Sequence, residues 1–287
     1  MHNIEKTSKV IRSVSGLVDY QDLVIGVSDE YHGLFVRGSE KDQFYNFSEY
    51  PASITYKEQK KIKPDQESIS LVSIDGKDYV IALPSLSKSN RDELGVFHIS
   101  AENAQLQIHS HRLFKLEKLF KQLQGREINI EGHVLFGNDL LLLNRGNESS
   151  GSELITVSNG PFWIKNAVTK DSDNDFDYLF SKTTVELGRF DGHPIHWTDG
   201  IRETDQTMLF LATVEKTDNA YDDGVVLASF IGRYDIKAGR VIKIKKILDS
   251  KKAEGICRWN SRFLVSIDSD SPEMINEFYS FPHDVLD

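Results

Sequence analysis

Four carboxylates occupy matching places in a recurring motif: Glu67, Glu131, Asp199 and Glu254, with Ser15 in a fifth copy. The motif is a small or acidic residue, then Gly or Ser, then an apolar residue. It reads Ser15-Gly16-Leu17, Glu67-Ser68-Ile69, Glu131-Gly132-His133-Val134, Asp199-Gly200-Ile201 and Glu254-Gly255-Ile256. Carboxylates gathered around one axis repel, by several kcal/mol per pair at low effective dielectric. Protonation relieves the repulsion by raising a pKa. A hard divalent cation, calcium or magnesium, relieves it by accepting oxygen ligands. Neighbouring bases are a third route, and Lys63 and Lys252 precede their glutamates closely enough to serve. The pattern predicts a metal site of Glu67, Glu131, Asp199 and Glu254. A structural alternative stands beside it, in which such a side chain accepts backbone N–H bonds from the adjoining element and fixes its spacing.

A second polar tier follows each motif: Ser28-Asp29, Ser85, Asn144-Arg145, Glu215 and Asp268-Ser269-Asp270. Turn residues alone explain any one of these, but five at one level suggest the rim of a site. Arg91 and Arg145 suit bidentate recognition of a carboxylate or phosphate. With Asn144, Glu215 and Tyr221 they form the expected substrate-binding set. Asp268 is a candidate base. So is His133, which shares a strand face with Glu131, although a packed core histidine has the same signature. His193 and His196 are an odd step apart and make a poor joint metal site. His109 and His111 share a face but have no acidic neighbour in sequence.

The elements that must position these groups are short strands. Each motif precedes an apolar run: Leu23–Val27, Tyr79–Leu83, Leu140–Leu143, Met208–Ala212 and Phe263–Ile267. Gly, Asn and Asp separate motif from run, as in Asp75-Gly76 and Gly137-Asn138-Asp139, which is hairpin chemistry. Third strands are expected at 33–36, 95–99, 153–157, 225–233 and 277–279, with outer strands such as 183–187 and 241–248. Four antiparallel strands repeating every 50–70 residues or so describe an all-β propeller of five blades, with six open. Residues 9–13 are expected to supply the strand that closes the ring. A short helix is expected over 113–123 and a solvated loop over 170–177. No linker interrupts the pattern, so one domain spans 1–287; a β-sandwich or a two-domain chain is the rival.

The 287 residues carry 34 Lys+Arg and 44 Asp+Glu, a net charge of −10. That balance argues against nucleic acid and anionic membrane as partners. No apolar run reaches the roughly 18 residues of a transmembrane helix. Cys257 is the single cysteine, so neither an intramolecular disulfide nor a cysteine-cluster metal site exists. The beginning of the sequence has no basic-then-apolar signal pattern, which makes cytoplasmic the expected compartment. Phosphate-binding glycine loops, the Gly-x-Ser-x-Gly elbow, His-Glu-x-x-His and a complete calcium loop are absent.

The chain resembles an uncharacterised bacterial family of propeller-like proteins and, more distantly, the esterase-like phytases and related six-bladed calcium-dependent propellers. The resemblance rests on Lys63-Pro64-Asp65-Gln66-Glu67-Ser68, on 87–92, on Asn129-Ile130-Glu131-Gly132 and on Asn144-Arg145-Gly146-Asn147. In the C-terminal half it rests on Thr198-Asp199, 215–224, Lys252-Ala253-Glu254-Gly255 and Asp268-Ser269-Asp270. It implies a channel-mouth site of Glu and Asp, with Ser15 departing from the acidic pattern. Two functions are expected from these residues. One is a hydrolase of a phosphate or carboxylic ester, with a divalent cation polarising the ester and activating water. The other is a binding module for a small anionic ligand or a protein partner.

Overall fold

A computed structural model describes residues 3–8 (backbone only), 13–38, 42–48, 53–123, 127–147, 150–216, 224–268 and 276–287. Strand β1 (Asn3–Ser8) precedes the first blade, which is β2 (Val14–Tyr20), β3 (Leu23–Ser28), β4 (Tyr31–Arg37) and β5 (Gln43–Asn46). Helix α1 (Tyr56–Ile62) leads to the second: β6 (Gln66–Ile74), β7 (Lys77–Pro84), β8 (Glu93–Glu102) and β9 (Gln105–Lys115). Helix α2 (Glu117–Leu123) leads to the third, β10 (Ile130–Phe136), β11 (Asp139–Asn144), β12 (Ser152–Ser158) and β13 (Phe180–Val185), with α3 (Gly160–Thr169) inserted before β13. A small hairpin, β14 (Arg189–Phe190) and β15 (His193–Pro194), joins it to the fourth: β16 (His196–Arg202), β17 (Thr207–Lys216), β18 (Val225–Asp235) and β19 (Arg240–Asp249). The fifth is β20 (Lys252–Trp259), β21 (Arg262–Asp268) and β22 (Asn276–Pro282), completed on its outer edge by β1.

The five antiparallel sheets are the expected blades, and the protein is a five-bladed β-propeller. The tight turns explain why the strands pair as they do. Asp75 and Gly76 both have positive φ (51° and 76°), the geometry a two-residue hairpin needs to match strand twist. Asn260 and Ser261 repeat it in the fifth blade. Five apolar cores fill the five junctions between neighbouring blades, so each blade is stabilised by its neighbours rather than by a centre of its own. The inner strands β2, β6, β10, β16 and β20 approach one another closely. A Cβ on Gly16 would lie 3.0 Å from the Ser68 Cα, and one on Gly255 would lie 3.1 Å from the Gly16 Cα. Side chains there would push the ring apart, which accounts for the glycines after Ser15, Glu131 and Glu254.

Three expectations shift. The closing strand is Asn3–Ser8, paired antiparallel with β22, rather than 9–13, of which only Ser13 is described. The helix predicted over 113–123 begins at Glu117, because 113–115 finish β9. The acidic stretch 170–177 is not wholly solvated. Asp173 is fully buried and accepts from the backbone N–H of Lys118 and of Leu119, both at 2.8 Å, and from the Tyr178 hydroxyl at 3.0 Å. It thereby caps α2. No helix among the described residues is long and apolar enough to cross a membrane.

Candidate active site at the channel mouth

Every inner strand carries a register shift near its start, spanning Val14/Gly16, Gln66/Ser68, Ile130/Gly132, Trp197/Asp199 and Ala253/Gly255. The bulged residues are therefore Ser15, Glu67, Glu131, Thr198 and Glu254. A bulge re-aims one side chain out of the ladder, and its repetition turns three glutamates toward the axis. Chain direction then puts the loops after each second strand and the connections between blades at this same mouth.

Asp199 is one position out of step. Thr198 holds the ring place in blade four, with its hydroxyl donating to the Ala253 carbonyl at 2.6 Å. The Asp199 carboxylate accepts from the backbone N–H of Gly200 and of Ile256, each at 2.8 Å. Burial pushes its pKa well above the usual range, against the pull of those two amides. Asp199 thus fastens blade four to blade five, and the four predicted ligands do not form one cage.

Among the described residues, six carboxylates and four cations meet at the mouth in two networks. In the first, Lys63 pairs with Asp29 and, at 2.9 Å, with Asp65. Arg91 reaches Asp65 at 2.7 Å, and Ser85 donates to the same carboxylate. Asp65 has left-handed backbone (φ 58°), which Asp adopts more readily than most residues. In the second, Arg145 bridges Glu131 at 3.2 Å and Glu215 at 2.7 Å, and the Asn129 amide donates to Glu131 at 2.6 Å. Lys252 pairs with Glu254 at 2.7 Å. Asp268 accepts from the Ser13 hydroxyl at 3.0 Å; burial first, and the charge of Asp268 after it, push the Glu254 pKa well up against the pull of Lys252.

Glu67 lies between the two networks and belongs to neither. Its carboxylate makes no hydrogen bond or ion pair to any described residue, and it is only half-buried while Asp65, Glu131 and Glu254 are buried. Desolvation pushes its pKa well above the ordinary value, reinforced by the charges of Asp65, Glu131 and Asp29. Asp65 goes the other way. Burial opposes its charge, but Lys63, Arg91 and the Ser85 hydroxyl more than offset that and hold its pKa down. Oxygens of Asp29, Asp65 and Glu67 all lie within 4.8 Å of one another. Hard-cation ligands are present there, though the Lys63 ammonium already holds Asp29 and Asp65.

The other predicted site residues separate by surroundings. Arg91, Arg145 and Glu215 stand in the networks. Asn144 is absorbed internally: its side chain bonds the Asn129 N–H at 2.7 Å, the Glu127 carbonyl at 3.2 Å and Glu153 at 3.0 Å. His133 is buried with Ser68 at 2.6 Å on one ring nitrogen and Ser70 at 2.8 Å on the other, and burial lowers its pKa to about 4. It is a packed histidine tying blade three to blade two, with no open nitrogen for a general base. Tyr221, Ser269 and Asp270 lie outside the described residues. Asp65 was missed, and the strand period could have found it. Asp65, Asn129 and Lys252 each stand two residues before their glutamate and so at the same mouth.

The chain belongs to a family of unknown function, DUF6929, whose match covers residues 10–280. No curated protein sequence is significantly similar to it. A glycosyl hydrolase from Bacteroides ovatus superposes with a TM-score of 0.52 at 10% identity, covering 98% of this chain and 86% of its own. A structure from work on GH130 mannoside phosphorylases and on glycoside hydrolases that target β-1,2 mannosidic linkages in Candida mannan gives 0.51 at 10% identity, covering 98% and 87%. At such identity the likeness is one of fold.

Proposed function

We propose that the protein is a hydrolase that cleaves a glycosidic bond by carboxylate acid–base chemistry at the channel mouth, with Glu67 as proton donor. The observation that carries this reading is the contrast between two adjoining carboxylates, Asp65 bound by Lys63, Arg91 and Ser85 and Glu67 bonded to no described residue. Glu67 is half-buried, with its pKa raised by desolvation, while those three partners hold Asp65 beside it with its pKa lowered. Environments that drive two acids apart in this way assign a donor and an anionic partner. A leaving sugar oxygen needs a proton, and the positive charge that develops on the sugar needs a nearby anion. Separation supports the retaining course, since two carboxyl groups this close leave little room for an intervening water. Charge supports an uncharged substrate over a phosphate, because each of the four cations is bound to carboxylates that outnumber them. The two glycoside-cleaving propellers above share the scaffold, which is compatible with this chemistry.

A second reading, cleavage of an ester with calcium or magnesium, is favoured by the Asp29–Asp65–Glu67 oxygens. An ion there would take the place of the Lys63 ammonium and reverse the local charge, drawing in an anionic ester. One experiment separates the two. Chromogenic glycosides, carboxylic esters and phosphate esters are assayed with chelator and with either metal added back. The first reading expects glycoside cleavage that survives chelator and falls about 100-fold or more in Glu67→Gln. It also expects a rate that declines as pH rises through the raised Glu67 pKa. Glycoside cleavage at the wild-type rate in Glu67→Gln overturns it, and ester cleavage that requires metal establishes the second reading instead.

A further inference from the structure

A cavity of about 300 Å³ opens between blades three and four, lined by residues just after β11 and β13 and just before β16. Asn147, Ser152, Glu186, Arg189 and His196 supply its polar groups, and Val185, Leu187, Pro194 and Ile195 its apolar ones. The volume stands at the lower end of the range for small-molecule sites. Three features mark it as built. Ser152 and His196, both buried, are locked together by a 3.1 Å hydrogen bond. Asn147 is held by paired bonds with Ser150, its own Oδ1 accepting from the Ser150 N–H at 2.8 Å. The β14–β15 hairpin forms the outer wall, with its turn fixed by Arg189 Nε donating to the Gly192 carbonyl at 2.9 Å. Phe190 packs on Phe230 at 5.6 Å and anchors that hairpin to blade four. Among the described residues, no other connection between blades contains a β-hairpin.

The cavity reaches the mouth through a short chain of contacts. His196 stands opposite Thr213 in the β16–β17 ladder, Thr213 donates to Glu215 at 3.3 Å, and Glu215 binds Arg145. Asn147 follows Arg145 by two residues. The cavity and the charged networks thus stand at the same end of the propeller, where β11 and β13 finish and β16 begins. We infer that the cavity is a subsite for one sugar ring of the substrate, which rests on the glycosidase reading above and deepens it. Donors and acceptors stand beside apolar surface, and one acidic and one basic side chain balance. That lining matches a neutral polyhydroxylated ring with an apolar face better than an anion or a hydrocarbon. The pre-set bonds of Ser152, His196 and Asn147 lower the ordering cost of binding.

Titration of isotope-labelled protein with D-mannose, D-glucose, D-galactose and L-arabinose, followed by NMR, tests the assignment. Glu67→Gln is titrated alongside the wild type, since Glu67 lies outside the cavity lining and its loss should leave binding there unchanged. At least one sugar is expected to produce saturable shifts at His196, Ser152 and Arg189 in both proteins. Pro194→Trp and Glu186→Trp, which place an indole in the opening from two different elements, are expected to weaken that binding by about tenfold or more. Two substitutions guard against one of them misfolding. No saturable shift with any of the four sugars, or shifts that persist unchanged in the folded tryptophan variants, overturns the subsite. Sugar binding by a wild type that cleaves none of the chromogenic glycosides leaves the subsite standing and refutes the catalytic reading. Hydrolysis unaffected by either tryptophan does the reverse.

Discussion

Replacing Arg145 by methionine removes the cation from two buried carboxylates while keeping much of the side-chain volume. Arg145 is 4% exposed, and its guanidinium is the link at 3.2 Å to Glu131 and 2.7 Å to Glu215. Losing one partner of such a buried pair leaves uncompensated charge and costs about 3–5 kcal/mol. For a domain of this size that is a fall of roughly 5–8 °C in the unfolding midpoint. The variant has an escape, because Glu131 can take up a proton. Burial already raises its pKa, and Arg145 is the largest influence holding it down. A carboxylate whose folded pKa rises contributes stability that is present at low pH and is lost as pH climbs toward the folded value. The deficit of Arg145→Met relative to wild type should therefore be greatest above neutrality and shrink on acidification. Effects of other titrating groups largely cancel in that difference. Thermal or urea unfolding of both proteins across pH checks it, with Arg145→Met/Glu131→Gln as a partial rescue. A deficit under about 1 kcal/mol at neutral pH, or one indifferent to pH, would refute the view that this bridge neutralises the mouth.

Three further outcomes follow from the same physics. His133 is held neutral with a pKa of about 4 against an ordinary 6.5, so the unfolded chain binds a proton first as pH falls. Its contribution is lost progressively below about 6.5 and amounts to about 3 kcal/mol by pH 4; His133→Asn should show a shallower acid limb in a stability–pH profile. Asp199→Ala orphans the Gly200 and Ile256 amides and should cost about 1–3 kcal/mol in urea unfolding. Asp173→Ala removes both backbone contacts to α2 and the acceptor of Tyr178, for about 2 kcal/mol, and hydrogen exchange should locate the loosening at 117–123.

The blades were legible because hairpin turns and apolar runs are local properties. Asp75-Gly76 announces its turn without knowledge of anything distant. The ring of carboxylates was legible for Glu67, Glu131 and Glu254, where the acid and the bulge coincide. It failed at Asp199, whose Asp-Gly pair imitates the motif one residue late. Which residue bulges is decided by pairing with β17, and pairing is not written in composition. Asp173 misled for the same reason: a run of Asp, Ser and Asn reads as solvated until a helix end is placed over it. Helix α1 had a readable start. Thr55 and Glu58 form a capping box, the Thr55 N–H donating to Glu58 at 2.9 Å, but the lysine-rich stretch after it has too little apolar periodicity to stand out. The role of Glu67 was beyond sequence altogether, because it depends on what fails to touch it.

The pairing of β1 with β22 has a consequence for biosynthesis. Strand β1 finds its hydrogen-bonding partner only after residues 276–282 have been translated. Until then a nascent chain carries four assembled sheets, a bare flank on blade one and another on blade four, and a tethered segment with nothing to dock on. Such long sequence separation slows the final step and leaves sticky edges available to neighbours. Chaperone dependence, pausing and polysome-associated aggregation should all be most sensitive to changes in the codons for 252–282.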